Sequence, residues 1–299
     1  MGIIYWQAKM LLDARRAGVP MDRLLMIGRQ SLLLHPSELR GIRRICPGAL
    51  ADYKWGEYAD RFFRECLGAS TVNTLDYSAY EDADLLYDLN QPIPSELKGR
   101  FDAVVEAGSL EHIFNFPIAI ANLMQMTKVG GTIFASTVSN NLCGHGFYQF
   151  SPELIFRVFT VENGFELGKV LVLEARYPGI ELTPISKAFE VADPAIAQCR
   201  VGLMTKRPIM LFFDARKKVE SPLFVRSPMQ SDYAAAWLSN GKPATARMPQ
   251  WIRNLPRYSS FRIWLREISI VRSFDNWLTG QRQLGQFSLK NKRLFKKVQ

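Results

Sequence analysis

Short apolar runs that stop at a glycine or an acidic residue recur along this chain and alternate with stretches of helical periodicity. The first run, residues 24–27, stops at Gly28, and later runs stop at or near Asp76, Asp88 and Glu106. Apolar runs of this length between turn signals are typical of buried strands, and their alternation with helices indicates a parallel sheet covered on both faces. We therefore predict an α/β fold with a doubly wound, mostly parallel sheet of seven strands.

The predicted elements occupy most of the first 217 residues. Strands are expected at 24–27, 70–76, 83–88, 102–106, 132–137, 165–175 and 208–217. Helices are expected at 37–45, 56–68, 117–128 and 151–164, with Gly130 and Gly131 ending the third. No helical pattern separates the last two strands, which favours an antiparallel late strand.

The positive charge of the chain is concentrated in its last 80 residues. Residues 220–299 hold 14 Lys and Arg against four Asp and Glu, whereas residues 1–219 hold 24 of each. We predict a domain at 1–219 and a basic, aromatic-rich helical extension at 220–299. Its residues 259–280 form an amphipathic pattern with Arg on the polar side. Such a helix packs on the protein itself or on a second subunit, or lies on an anionic membrane surface.

Cysteine and histidine usage bears on the compartment and on metal binding. The four cysteines are widely spaced and form no CxxC pair, which fits a reducing cytoplasm and argues against a zinc site. The three histidines lack metal-ligand spacing along the chain, so no metal is expected. No secretory signal pattern and no apolar run of about 18 residues is present, so we expect a cytoplasmic protein, with membrane contact at most peripheral at the inner surface.

The ends of the predicted strands place polar residues at one edge of the sheet, where ligands bind in doubly wound folds. Gly28 would let a ligand approach the backbone closely. The carboxylate of Asp76 can accept hydrogen bonds from both hydroxyls of a ribose, and Asp88 can accept one from an adenine amino group. A single acid at a strand end is commonly a cap, but here all of these residues fall at the same edge.

Three motifs resemble class I S-adenosylmethionine-dependent methyltransferases. They are FDAV followed by LEH (101–104 and 110–112), TKVGGTIFAS (127–136) and ENGFEL (162–167). The resemblance covers roughly residues 20–217 and is strongest to the small-molecule branch. It implies a Rossmann-like methyltransferase fold, S-adenosylmethionine as cofactor and S-adenosylhomocysteine as product. The stretch 140–154 is similar to a subgroup associated with bacterial surface-polysaccharide biosynthesis.

The resemblance also implies a set of cofactor-binding residues. Glu106, with the small residues Ala107 and Gly108, would line the cleft beside the methionine and sulfonium part of the cofactor. Glu111 and His112 would serve mainly as a turn and cap. The full cofactor-binding set that it implies is Gly28, Asp76, Asp88, Leu89, Glu106, Ala107 and Gly108.

The loop after the first strand departs from the family pattern, which has three alternating glycines. Only Gly28 is present, and Arg29, Gln30 and Ser31 stand in the places of small residues. Larger side chains here either narrow the site, shift the cofactor slightly or abolish its binding. Because S-adenosylmethionine has no pyrophosphate, it depends less on a glycine-rich loop than a dinucleotide does, and we expect a cofactor that is bound but seated differently.

The long polar loop after the fifth predicted strand is expected to hold the acceptor. His145 lies between two glycines near the point of methyl transfer and is the candidate general base or orienting group. Asn141, Tyr148 and Gln149 are candidate substrate-binding residues, although they could equally satisfy the backbone of the loop.

The predicted activity is transfer of a methyl group to a hydroxyl or amine of a small or glycan-linked acceptor. One alternative is an RNA methyltransferase that uses the basic extension as a phosphate clamp. Another is a catalytically silent scaffold whose extension binds a partner or a membrane surface. The sequence leaves the oligomeric state open.

Overall fold

The structure, a computed structural model, describes residues 2–175, 187–238 and 287–298 of the 299-residue chain. The chain divides into two units that interleave along the sequence. The larger unit comprises Met1–Val191, Lys206–Pro228 and Lys297–Gln299, and the smaller comprises Ala192–Thr205 and Met229–Lys296. A single boundary after residue 219 stays a prediction.

The larger unit is built on one mixed sheet. Its strands are β2 (Arg23–Ile27), β4 (Thr71–Asp76), β5 (Leu85–Leu86), β6 (Phe101–Ala107), β7 (Thr127–Asn140), β8 (Phe165–Glu174), β9 (Ala188–Val191) and β10 (Ile209–Lys217). They lie in the order β9-β8-β10-β7-β6-β2-β4-β5. Two further strands, β1 (Gly2–Ile4) and β3 (Ser31–Leu33), pair with each other in parallel.

The strand directions divide this sheet into a parallel and an antiparallel part. β5, β4, β2, β6 and β7 all run parallel. β10 runs antiparallel to both β7 and β8, so β8 has the same direction as the parallel strands. β9 pairs antiparallel with β8 at the edge. The predicted α/β class, parallel start and antiparallel late strand are confirmed. The predicted number of seven strands is wrong, because the sheet continues beyond β8 with β9.

Helices cover both faces of the parallel part. The larger unit contains α1 (Tyr5–Arg16), α2 (Pro36–Ile45), α3 (Asp60–Leu67), α4 (Phe116–Met126) and α5 (Pro152–Val158). Apolar residues of α1, α2 and α3 form one buried cluster with Leu24, Met26, Ala103 and Val105, which alternate along β2 and β6. α4 packs on β6 and β7 and shares no residue with that cluster, so it covers the opposite face.

The smaller unit is described only in part. It contains α6 (Pro194–Ala197) and α7 (Ser231–Leu238), and most of the short strand β11 (Phe295–Lys297). An ion pair of 2.6 Å joins Arg200 to Asp232 at the start of α7. The amphipathic helix predicted at 259–280 lies outside the described residues.

Several predicted boundaries are wrong, and Gly131 shows why. α4 ends at Met126, and Gly130 and Gly131 lie inside β7 rather than ending the helix. A Cβ atom on Gly131 would lie 2.7 Å from the carbonyl oxygen of Asp102, so this glycine serves a close approach of β7 to β6. The helices predicted at 56–68 and 151–164 are shorter, as α3 and α5, and β1, α1, β3 and β9 were not predicted.

None of the helices in the described part of the chain has the length and apolar character needed to cross a bilayer.

Candidate active site

The strands that carry the predicted site end at the same edge of the sheet. Ile27, the last residue of β2, lies opposite Leu75 of β4 and Glu106 of β6. Asp76, which ends β4, lies opposite Leu86 of β5. Because parallel strands in register present their carboxyl ends together, the loops that follow these four strands form one edge.

Gly28 and Asp76 meet directly at this edge. Gly28 has a φ of +64°, and a Cβ atom there would lie 3.3 Å from Ser109 Oγ and 3.7 Å from Asp76 Oδ2. The half-buried Asp76 accepts a bond from the backbone N–H of Ser78 through Oδ1. Within the described residues no hydrogen bond reaches Oδ2. A ligand hydroxyl that approaches the backbone at Gly28 would therefore find a free carboxylate oxygen.

Gln30 fills the position where the resembled family has a small residue. Its side chain is almost completely buried and folds back, so that Nε2 donates to the carbonyl oxygen of Ile27 at 2.6 Å. Arg29 turns away from the strand end, donating to the carbonyl oxygen of Glu81 at 3.1 Å and lying 4.2 Å from the centre of the Tyr58 ring. The Gln30 side chain thus occupies space beside Gly28, with Nε2 3.3 Å from a Cβ atom built there. A cofactor that is bound but seated differently stays a prediction.

The segment after β5 holds Asp88 and Leu89. Asp88 Oδ1 accepts bonds from the backbone N–H and the side-chain amide of Asn90, at 2.9 Å and 2.8 Å. Asn90 in turn accepts a bond from the backbone N–H of Asn115, just before α4. Leu89 is buried. The roles of Asp88 and Leu89 in holding an adenine stay predictions.

Glu106 is fully buried, and one of its oxygens organises the turn behind β6. Oε1 accepts bonds from the backbone N–H groups of Gly108, Ser109 and Leu110. Burial, reinforced by the nearby carboxylate of Glu111, raises the pKa of Glu106 to about 8. This raised pKa favours the protonated form of Glu106. Its contact with the methionine part of a cofactor stays a prediction, as do those of Ala107 and Gly108, both buried.

Glu111 lies in a turn, as expected, but its side chain also forms buried contacts that were not predicted. It lies in a short 3-10 turn, Leu110–His112, and is completely buried. Its Oε2 accepts a bond of 2.7 Å from the Thr137 hydroxyl, and its Oε1 lies 3.6 Å from Nε2 of His145. The ring of His145 also meets that of His112 edge to face, with centroids 5.0 Å apart. The predicted catalytic histidine thus belongs to a cluster rather than standing alone.

The loop that carries His145 is docked on the Leu110–His112 turn by its backbone. The N–H groups of Phe147 and Tyr148 both donate to the carbonyl oxygen of Glu111, at 2.7 Å and 3.3 Å. A Cβ atom on Gly146, whose φ is +75°, would lie 2.6 Å from that same oxygen. Glycine is therefore required where the loop touches the turn.

Replacing Gly146 by alanine should undock this loop. The positive φ and the short contact together are expected to lower the free energy of unfolding, or of local opening, by about 1–3 kcal/mol. Gly144 is a matched control because a Cβ there meets no atom within 4 Å. Hydrogen exchange of residues 141–149 should accelerate in Gly146→Ala and stay unchanged in Gly144→Ala, and equal exchange in the two variants would contradict the docking role.

The three residues predicted to contact the acceptor are all hydrogen-bonded to other parts of the protein backbone. Tyr148 donates its hydroxyl hydrogen to the carbonyl oxygen of Phe114 at 2.6 Å. Gln149 Oε1 accepts from the backbone N–H of Leu142 at 3.0 Å, and Asn141 Nδ2 donates to the carbonyl oxygen of Arg207 at 3.0 Å. Contact of these residues with an acceptor stays a prediction.

Two polar residues outside the predicted site help to build it. Gln7 of α1 donates to the carbonyl oxygen of Glu106 at 2.7 Å and accepts from the Ser136 hydroxyl at 3.1 Å, which joins the ends of β6 and β7. Ser109 donates to the carbonyl oxygen of Ile27 at 3.2 Å. No helix was predicted over residues 5–16, so the contacts of Gln7 were missed.

Comparison with known proteins gives structural similarity without sequence similarity. No family model and no curated protein matches the sequence. Among solved structures, the chain is similar to N-methyltransferase NodS from Bradyrhizobium japonicum in complex with S-adenosylhomocysteine, at 14% identity and a TM-score of 0.39, covering 72% of this chain and 87% of NodS. It is also similar to trans-methyltransferase CalH in complex with S-adenosylhomocysteine, at 13% identity and a TM-score of 0.36, covering 71% of this chain.

The similarity is not restricted to methyltransferases. A branched-chain polyamine synthase mutein from Thermus thermophilus matches at 13% identity and a TM-score of 0.35, covering 73% of this chain and 57% of the synthase. The chain likewise spans 57% of CalH.

Proposed function

We propose that this protein is an S-adenosylmethionine-dependent methyltransferase acting on a hydroxyl or amine of a small or glycan-linked acceptor. The observation that supports it best is the pairing of two features at one sheet edge. The free oxygen of Asp76 faces the backbone at Gly28, and the Glu111–His145 pair lies beyond the neighbouring strand. Asp76 and Gly28 could bind a nucleoside, and the Glu111–His145 pair could accept a proton.

The residues at the edge divide between holding the cofactor and shaping its surroundings. Asp76 would accept hydrogen bonds from the ribose hydroxyls, and Asp88 would accept one from the adenine amino group. Leu89, Ala107 and Gly108 would line the remaining wall. When bound, S-adenosylmethionine supplies a methyl group on a positively charged sulfonium, which is already a strong electrophile.

His145 would take the proton that an acceptor hydroxyl or amine loses on attack. Its Nε2 faces Glu111, so the opposite ring nitrogen, Nδ1, is the one open to an acceptor. The buried Glu111 carboxylate would stabilise the imidazolium that forms, and Thr137 holds that carboxylate in place. Much of the remaining rate enhancement would come from alignment of the acceptor with the methyl group.

An exposed pair of aromatic rings beside His145 supports an acceptor with a ring. Phe114 is 73% exposed and Phe147 is 69% exposed. The two rings meet edge to face with centroids 6.2 Å apart. Exposed apolar side chains grouped on a surface mark ligand-binding grooves, and a sugar ring or an aromatic ring can pack on them. This contact would supply affinity for the acceptor, since Asn141, Tyr148 and Gln149 already form hydrogen bonds with the protein backbone.

The basic extension completes the proposal as the part that would meet an anionic partner. Residues 220–299 carry a net charge of +10 by their Lys, Arg, Asp and Glu content. That charge suits an acidic glycan or the anionic inner surface of a membrane in a cytoplasmic protein. If the partner were RNA instead, binding would fall steeply with salt and RNA would compete with the acceptor.

Calorimetry with S-adenosylhomocysteine tests the cofactor assignment. We expect saturable binding of one molecule per chain. Absence of binding to the full chain would overturn the methyltransferase proposal and favour a silent scaffold, a second candidate that the buried Gln30 supports. Replacing Gln30 by alanine distinguishes the methyltransferase from the silent scaffold. Binding of S-adenosylhomocysteine should become stronger if the glutamine only narrows the cofactor cleft.

Replacing His145 by alanine tests the proton-acceptor role. With a hydroxyl acceptor, turnover should fall by about 10²–10⁴-fold because general-base catalysis is lost. Affinity for S-adenosylhomocysteine should stay unchanged, which serves as the internal control for folding. A variant with full turnover would remove His145 from the mechanism and leave the methyltransferase assignment intact.

A further inference from the structure

Three potential metal ligands converge in the cluster formed by Glu111, His112 and His145. One ligand atom from each side chain can be chosen so that all three lie within 4.8 Å of one another. Glu111 Oε1 lies 3.6 Å from His145 Nε2. Two imidazoles and one carboxylate are the ligand set of many sites for divalent transition metals.

The carboxylate of this cluster has an oxygen without a partner. Glu111 is completely buried, and the Thr137 hydroxyl satisfies only its Oε2. Its Oε1 accepts no hydrogen bond within the described part of the chain. A buried carboxylate oxygen left unpaired is costly, and buried polar atoms without partners are uncommon in folded proteins. A cation between Glu111 and the histidines would satisfy this oxygen.

The two histidines can reach the geometry that an ion requires. Ligand atoms bonded to Zn²⁺ at about 2.0–2.1 Å lie roughly 3–3.5 Å apart, whereas the three atoms here lie within 4.8 Å of one another. The widest pair therefore has to close by at most about 1.3–1.8 Å. His112 is exposed and the side chain of His145 is 40% exposed, so both rings can turn. Glu111 need not move, because Thr137 already directs its free oxygen toward His145.

We propose that Glu111, His112 and His145 bind one divalent transition-metal ion of the Zn²⁺ and Co²⁺ type. The site would have three protein ligands and open positions toward the loop that carries Phe147. This proposal differs from the expectation that the protein binds no metal, which was based on the spacing of the histidines along the sequence. The backbone contacts of Phe147 and Tyr148 with Glu111 bring the second histidine to the first across 33 positions.

Metal binding and proton acceptance exclude each other at His145. An imidazole that coordinates an ion through Nε2 carries its own proton on Nδ1 and cannot take another. Metal-free protein is therefore the form in which His145 would serve as the general base. The two proposals can fail separately, since metal binding is measured without cofactor, acceptor or turnover.

Titration of the full-length, tag-free, chelator-treated protein with Co²⁺ tests the site, because bound Co²⁺ has visible absorption bands that report its ligands. We expect one saturable Co²⁺ per chain, displaced by Zn²⁺. His112→Ala and His145→Ala should each weaken binding by more than about 100-fold, exceeding the effect expected for groups that only support a ligand. His35→Asn, which alters the one histidine outside the cluster, should bind as the wild type does.

A substitution at Thr137, which contacts Glu111 without being a proposed ligand, distinguishes a preformed metal site from nonspecific surface binding. Thr137→Val removes the hydroxyl that holds Glu111 and should weaken Co²⁺ binding by about 10–100-fold. Lack of saturable binding by the wild type would overturn the proposal. Unchanged binding in both His112→Ala and His145→Ala would also overturn it and would place the ion elsewhere, with the exposed Cys143 as the first group to examine.

Discussion

Replacing Asp76 by alanine is expected to weaken S-adenosylhomocysteine binding by at least about 100-fold. Hydrogen bonds to a charged group contribute about 1.5–3 kcal/mol each, and a ribose would donate two to this carboxylate. Each factor of ten in affinity corresponds to about 1.4 kcal/mol. Asp76→Asn keeps one acceptor oxygen without the charge, so its loss should be intermediate.

The fold is expected to survive this change. Asp76 is half-buried, and the only hydrogen bond that its side chain accepts within the described residues comes from Ser78. Asp82→Asn is a matched control, since the Asp82 side chain is 91% exposed and lies six residues along the same chain segment. Calorimetry should show wild-type affinity for the control. Equal affinities for Asp76→Ala and the control would refute the ribose contact.

The wild-type protein is expected to become less stable as pH rises, and replacing Glu106 by glutamine should abolish this loss. Burial raises the pKa of Glu106 to about 8 from the ordinary value of 4.5. Between these values the unfolded chain has released the proton that the folded chain keeps. The free energy of unfolding therefore falls as pH rises through this window, by a total on the order of 4 kcal/mol. Above pH 8 it levels off. Below pH 4.5 the group has no effect.

Glutamine suits this position because its carbonyl oxygen can still accept from the three backbone N–H groups of the turn, and its amide stays neutral at every pH. Urea unfolding at pH 5, 7 and 8.5 should give a flatter pH dependence for Glu106→Gln, and greater stability than wild type at pH 8.5. Glu96→Gln, which alters an exposed carboxylate, is the control. A wild-type slope in Glu106→Gln would show that Glu106 is ionised in the folded protein.

Most of the sheet could be predicted because its signals are local. Apolar runs bounded by glycine or acid correspond to β2, β4, β6, β8 and β10 within one or two residues. The first helix was missed because the buried Gln7 interrupts its apolar face, and its partner atoms lie on β6 and β7. The end of α4 was misplaced because a glycine can end a helix or allow two strands to approach, and only the neighbours decide which.

The candidate site divides in the same way. Gly28, Asp76 and Glu106 were expected at one edge because parallel strands bring their carboxyl ends together, and the register of β2, β4 and β6 does so. That Gln30 folds back on Ile27 could not be predicted from its sequence position. Nor could the burial of Glu111, which depends on Thr137 of a neighbouring strand.

The sequence by itself determined the α/β class, the edge at which the strands deliver their polar ends, and the concentration of positive charge in the last 80 residues. These properties follow from residue order and composition, which act over a few neighbouring positions. Only the tertiary structure decided that Glu111, His112 and His145 meet and that burial raises the pKa of Glu106. Both outcomes depend on burial and on contacts between distant segments, because desolvation and ligand geometry arise only when the chain has packed.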